Sequence, residues 1–192
     1  MKKIILIGGG GHCKSVIDVI EQQDDFYIAG IIEKPELLGF DVLGYPIIGN
    51  DLDLIDLAKE YQYALITVGQ IKSSSKRKEL FELVKNIGFI LPTVISSNAY
   101  VSNHAEIGDG TVVMHNALIN ADCSIGDNCI INSKALIEHD SKIYNHCHIS
   151  TNATINGGVT IEEGCFIGSG VITNNSILIK KNSFIKAGST VK

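Results

Sequence analysis

The chain has 192 residues, 45% hydrophobic and 19% charged, with 19 glycines, no tryptophan, a formal net charge of -5 and a mean hydropathy of +0.20. So apolar a composition builds a core, which excludes a disordered chain and suits one large or two small globular domains. No apolar run approaches the ~18 residues of a membrane span, and Ile4 to Gly9 is too short for a signal-peptide core, so the expectation is a cytoplasmic protein with no membrane partner.

Basic and acidic residues number 10 and 13 up to Pro92 and 6 and 8 beyond it, so neither half offers the basic field that nucleic acid requires. In chain order, Lys3 to Ile7 reads as a buried strand and Gly8-Gly9-Gly10-Gly11 as a turn. A helix over His12 to Gln22 follows, with Val16, Ile17, Val19 and Ile20 inward, and then a strand from Tyr27 to Ile32 that ends at Glu33. A glycine-rich turn feeding a helix N-terminus presents unpaired N–H groups and a favourable dipole to phosphate, so this turn is a candidate nucleotide site. The dinucleotide fingerprint needs a third glycine where this chain has Cys13, which argues against NAD although Glu33 stands near the ribose-binding offset.

Further along, the pattern gives a helix over Leu52 to Tyr61, a strand from Ala64 to Val68 ending in Gly69-Gln70, a helix over Ser74 to Asn86 and a closing strand from Phe89 to Leu91. Lys76-Arg77-Lys78 reads as a solvated helix face. Residues 1–92 are thus expected to form a small Rossmann-like α/β domain, large enough for one nucleotide.

Residues 93–192 are built differently. Stepping by six from Ile95 meets Val101, Ile107, Val113 and so on to Val191, and every position is Ile or Val except Thr173. Four residues after each stands a small or modest one: Ala99, Ala105, Thr111, Ala117, Cys123, Cys129, Ala135, Ser141, Cys147, Ala153 and Cys165 among them. This is the hexapeptide signature of a parallel β-helix, with one hexad per face of a triangular prism and three hexads to a coil. Cys123, Cys129, Cys147 and Cys165 occupy the small slot, and with Cys13 they form an odd set without a CxxC pair. They read as buried small hydrophobes, neither nucleophiles nor metal ligands. Thr173 gains no role from the pattern.

The hexapeptide pattern resembles that of the left-handed parallel β-helix acyltransferases, a resemblance that implies homotrimers and an acyl-CoA bound between neighbouring prisms. With the Gly-Gly-His turn and the short α/β domain ahead of it, the chain resembles the bacterial nucleotide-sugar acetyltransferases of the PglD/NeuD group over essentially its whole length. The segment Asn132-Ser133-Lys134-Ala135-Leu136-Ile137-Glu138-His139-Asp140 is similar to the one that supplies that family's base and adjoining carboxylate. The resemblance implies His139 as base, Asp140 as its orienting carboxylate, and the Gly157 N–H, one coil beyond His139, as oxyanion donor. Gly157 and Gly158 would adjoin acetyl-CoA, while Asn132 and His148 would position acceptor and base. It further implies that Gly8, Gly10, Gly11 and His12 hold the nucleotide-sugar diphosphate, with Glu33 and Gln70 as further substrate contacts. Members continue beyond the last coil into a Gly-x-Pro-Ala-type segment over the coenzyme, whereas this sequence ends within a hexad at Lys192, so the expectation is either a truncated chain or a coenzyme site that lacks one wall.

Acetyl transfer from a thioester to an amine needs a base, a group that orients it and an oxyanion donor, and these residues supply all three. The expected activity is acetyl-CoA-dependent N-acetylation of a nucleotide-linked amino sugar, most simply a UDP-4-amino-4,6-dideoxy sugar, by direct transfer and without metal. O-acetylation of a sialic-acid-like sugar would use the same base, and a non-catalytic nucleotide-sugar-binding trimer is the reading from a different class. A carbonic-anhydrase-type metal site needs histidines converging between prisms, and His146, His148 and His139 are badly spaced for it. His104, His115 and His146 are expected at the surface or at contacts between copies.

Overall fold

The computed structural model describes residues 1–192 and divides into two units, Met1–Gly69 with Lys76–Pro92, and Gln70–Ser75 with Thr93–Lys192. The expected division at Pro92 therefore needs one amendment, because residues 70–75 cluster with the second half of the chain.

In the first unit, β1 (Lys2–Ile7), β2 (Phe26–Ile32), β3 (Asp41–Val42), β4 (Tyr45–Gly49) and β5 (Tyr63–Ile66) form a sheet in the order β3-β4-β2-β1-β5. All pairings are parallel except β3 with β4. The run Ile4, Ile5, Leu6 and Ile7 is buried throughout, as expected of a parallel strand covered on both faces. Helix α1 (Gly11–Glu21) buries Cys13, Val16, Ile17 and Ile20, which recur at the spacing of one helical face.

The β3–β4 hairpin is absent from the sequence reading. Its two-residue turn, Leu43-Gly44, has both residues at positive φ, and Leu43 lacks the Asn, Asp or Gly that normally marks such a turn. The helix expected over Leu52 to Tyr61 shrinks to a 3-10 turn at Asp51–Asp53 and one helical turn, α2 (Leu54–Leu57). Only Leu54 of that turn is buried, whereas Leu52 and Ile55 face solvent, so no apolar stripe holds a longer helix. The strand expected at Phe89–Leu91 reduces to a single bridge between Ile90 and Tyr63. Helix α3 (Ser75–Ile87) corrects the reading of Lys76-Arg77-Lys78 as a solvated face: Arg77 is buried and donates from Nη1 to the Ile66 and Val68 carbonyls at 2.6 and 2.9 Å.

The second unit is the expected prism. Two-residue strands stack as parallel ladders into two six-stranded faces and one five-stranded face. Each strand pairs with the one a coil further on, as Leu118 and Ile119 do with Leu136 and Ile137. The Ile/Val column and the small slot together form one buried core. Residues 110, 116, 122 and each sixth one to 188 adopt positive φ, and the occupants are mostly Gly, Asn and Asp, the residue types that tolerate the left-handed region.

The small slot does more than leave room. Thr93, Thr111, Cys123, Cys129, Ser141, Cys147 and Cys165 each donate a side-chain O–H or S–H to the carbonyl fifteen residues on, at 2.7 to 3.2 Å. The cysteines are thus buried, as expected, and also satisfy corner carbonyls that the ladders leave over.

Candidate functional site

The first unit holds a cavity of about 470 Å³ at the carboxyl ends of its parallel strands, lined among others by Gly8, Gly10, Glu33, Asn50, Gly69 and Lys76. Open α/β sheets bind ligands at this edge. Gly8 has φ +105° and lies so close to Val68 that a Cβ would strike its Cγ2, so glycine is required there. Gly10 is the N-cap of α1 with no side chain to cap it, and open space lies before both Gly10 and Gly11. Gly11 and His12 begin α1 beside the cavity without lining it. Glu33 does line it, and its carboxylate is engaged, accepting from Gly9 N–H at 2.6 Å and from its neighbour Lys34 N–H at 3.1 Å. Glu33 therefore shapes the glycine turn in addition to offering charge to the cavity.

On the prism, His139, Asp140 and Gly157 come together at one corner. His139 Nδ1 and an Asp140 carboxylate oxygen are 2.6 Å apart, and the left-handed conformation of Asp140 turns that carboxylate back onto its neighbour. The hydrogen bond that His139 Nδ1–H donates to Asp140 is the main reason the imidazole is held above its ordinary pKa, helped by the charges of Asp140 and Glu138. Asp140 is correspondingly held below the usual carboxylate range, chiefly by His139. The ring of His139 lies over Gly157, where a Cβ would sit 2.8 Å from Cε1 and 2.9 Å from Nε2. Gly158 N–H binds the His139 carbonyl at 2.9 Å and Gly157 O accepts from Ser176 N–H at 2.9 Å, while the Gly157 N–H is committed to no carbonyl of the chain. Asp140 also borders a cavity of about 440 Å³ with His104, Glu106, Asp122, Ser124 and Lys142.

Asn132, His148 and Gln70 form a second cluster, on a different face. Asn132 Nδ2 and His148 Nε2 are 3.3 Å apart, and His148 Nδ1 donates to the Gln70 carbonyl at 2.6 Å. That bond fixes the tautomer and leaves Nε2 as the acceptor for Asn132. Gln70, expected as a substrate contact of the α/β domain, is instead buried with the prism, and its amide donates to the His146 and Cys165 carbonyls at 3.0 and 3.4 Å. His146, expected at the surface or at contacts between copies, is buried within the chain, with Nδ1 3.0 Å from Asn128 Nδ2. His148 lies in the strand His148–Ile149 of one face, whereas His139 stands two residues after the strand Leu136–Ile137 of another.

All five cysteines are reduced and buried. Burial pushes the Cys13 thiol up to about 11 and raises Cys123 as well, so neither supplies a thiolate near neutrality. No helix is long and apolar enough to cross a membrane.

The family model for the PglD N-terminal domain matches residues 3–84, and that for the bacterial transferase hexapeptide (six repeats) matches residues 104–139. Among solved structures, the chain is similar to a histidine-to-asparagine variant of perosamine N-acetyltransferase from Caulobacter crescentus in complex with CoA and GDP-perosamine. Identity there is 30% and the TM-score 0.93, over 100% of this chain and 89% of that one. It is also similar to the acetyltransferase domain of PglB from Neisseria gonorrhoeae, at 28% identity and a TM-score of 0.90 over 100% of this chain and 92% of that one. The same domain in complex with acetyl coenzyme A gives 29% identity and 0.88 over 99% and 92%. No curated protein sequence matches.

Proposed function

The chain belongs to the PglD/NeuD-type bacterial nucleotide-sugar acetyltransferases, and from that membership we propose that it moves the acetyl group of acetyl-CoA onto the amine of a nucleotide-linked amino sugar. A UDP-linked 4-amino-4,6-dideoxy sugar is the expected acceptor, and its GDP-linked counterpart is the comparison of choice, since a relative was crystallised with GDP-perosamine. The observation that carries the reading is the 2.6 Å pair of His139 and Asp140 with the imidazole laid over Gly157.

In this mechanism the sugar amine attacks the thioester carbonyl, forming the C–N bond as its proton passes to His139 Nε2. Asp140 holds Nδ1–H and stabilises the imidazolium. The Gly157 N–H donates to the oxyanion, where preorganised donors contribute most. The intermediate collapses with cleavage of the C–S bond, and the coenzyme A thiolate takes up the proton from His139. No enzyme thiolate is invoked, in keeping with the buried cysteines.

The nucleotide would rest in the cavity of the first unit, with its diphosphate against Gly8, Gly10, Gly11 and His12 and the N-terminus of α1. Because the Asn132–His148 cluster and the His139 corner stand on different faces of one prism, both can meet the same sugar if neighbouring prisms of a trimer face each other. Coenzyme A would lie along that seam beside Gly157 and Gly158. A cytoplasmic location accords with acetyl-CoA and nucleotide sugars as substrates.

The test is thiol release and product mass with acetyl-CoA and a panel of UDP- and GDP-linked amino and hydroxy sugars, beside His139→Ala. N-acetylation of an amino sugar, lost by about 10² to 10⁴-fold in the variant, is expected. Acetylation of hydroxyls alone would select the O-acetyltransferase, and nucleotide-sugar binding with no transfer would select the binding protein.

A further inference from the structure

Thr173 is the one polar residue in a column otherwise made of Ile and Val, and it is fully buried. A buried hydroxyl needs a partner, and the partner it has is informative. On the same face of the prism, the ladder runs from the N–H that follows each inward aliphatic to the backbone carbonyl seventeen residues on. Asn120 reaches Ile137 O at 2.9 Å, Glu138 reaches Ile155 O at 2.9 Å and Asn174 reaches Val191 O at 2.7 Å. Asn156 breaks the series. Its N–H goes to the Thr173 side-chain oxygen Oγ1 at 2.9 Å, and the Thr173 carbonyl, so released, accepts instead from the Asn156 amide Nδ2 at 2.5 Å. Correspondingly, Thr154 pairs with Ile172 but Ile155 does not pair with Thr173 in the ladder.

The rerouted rung adjoins Gly157. The Asn156 carbonyl, which shares a peptide plane with the Gly157 N–H, accepts from Ser141 Oγ at 3.1 Å. In a planar trans peptide the C=O and N–H point in opposite directions, so a group that fixes one end aims the other. A hydrogen bond accepted by the carbonyl also polarises the peptide and strengthens its N–H as a donor. Asn156 is thus held at its N–H and side chain by Thr173 and at its carbonyl by Ser141.

We infer that Thr173 is a positioning residue for the Gly157 N–H: by drawing one rung of the ladder onto its hydroxyl, it sets the Asn156–Gly157 peptide so that this N–H is aimed at the reacting carbonyl. The inference rests on the acetyl-transfer reading in which that N–H meets the oxyanion. Valine matches threonine in shape and restores both the aliphatic column and the ordinary rung, so Thr173→Val leaves the coil packed while removing the diversion.

The experiment compares wild type, Thr173→Val and Thr173→Ser by steady-state kinetics in both substrates, thermal melting and the amide shift of Gly157. Thr173→Val is expected to lower kcat by about ten- to a hundredfold, since misaiming a donor costs less than the ~10² to 10³ of deleting one. KM for both substrates should stay within about threefold, the melting temperature should be unchanged or higher, and the Gly157 amide resonance should move. Thr173→Ser, which keeps Oγ, should restore kcat and the resonance. An active wild type with Thr173→Val turnover within about twofold of it overturns the inference alone. So does a loss of kcat that tracks a fall in melting temperature, or one that serine fails to rescue. An inactive wild type instead overturns the acetyl-transfer reading on which the inference stands.

Discussion

The imidazole of His139 covers Gly157 so closely that a methyl group on the glycine would sit 2.8 Å from Cε1. The two residues are one coil apart, and the contact joins the proposed base to the peptide that carries the proposed oxyanion donor. Gly157 does not adopt positive φ, so what demands glycine there is space and not backbone conformation. Gly157→Ala should therefore fold with nearly unchanged stability while pushing the ring off its seat. A misplacement of this order costs about 10²-fold, and kcat should fall accordingly with little change in melting temperature. Steady-state kinetics beside a thermal melt check this, and an alanine variant with normal kcat would show that the contact is incidental.

Asp140 raises the pKa of His139, and a base is active when neutral, so with His139 as the proposed base the acid limb of the kcat/KM profile should lie above the ordinary imidazole value. In Asp140→Asn the carboxylate charge is lost and any remaining hydrogen bond from Nδ1–H is to a neutral acceptor, so that limb should move to lower pH even as the maximal rate falls. A pH–rate profile of both proteins reads the shift. Movement to higher pH would mean that another group titrates in the limb.

The cysteines should be silent. All five are buried, and those of the prism donate to corner carbonyls, so iodoacetamide should leave the folded protein unlabelled by mass and its acetyl transfer unchanged. Inactivation by stoichiometric alkylation in the folded state would instead point to an acetyl-enzyme thioester.

Arg77 should carry more stability than a lysine-rich helix face suggests. Replacing it by Met would strip the Ile66 and Val68 carbonyls of their charged donor, at about 1.5 to 3 kcal/mol for each bond. Urea denaturation should register a loss of about 3 kcal/mol or more.

The prism was legible because its physics is periodic: a residue that must be aliphatic, one that must be small and one that must tolerate positive φ recur at fixed offsets, so Ile137, Ala135 and Asp140 announce themselves. The same period places Gly157 one coil beyond His139. What the period hides is which partner a polar side chain selects. The Thr173 hydroxyl and the Thr173 carbonyl both lie within reach of Asn156, and only the folded corner shows the first taking the N–H while the second takes the amide. In the α/β unit the parallel strands were legible from continuous apolar runs, whereas the Leu43-Gly44 hairpin lacks the usual turn residues and the one-turn α2 lacks a buried stripe. Gln70 reads as the end of a strand, and its true neighbours are carbonyls more than seventy residues away.

The regular stacking of coils makes the His139 corner portable. Asp122 stands one coil before Asp140 with the same left-handed backbone, and Cys123 already donates to the Glu138 carbonyl as Ser141 does to that of Asn156. Four exchanges, Ala121→His, Glu138→Asn, His139→Gly and Ile155→Thr, would transcribe the whole arrangement one storey along the same scaffold. Its address is therefore a floor of the building, not a stretch of sequence.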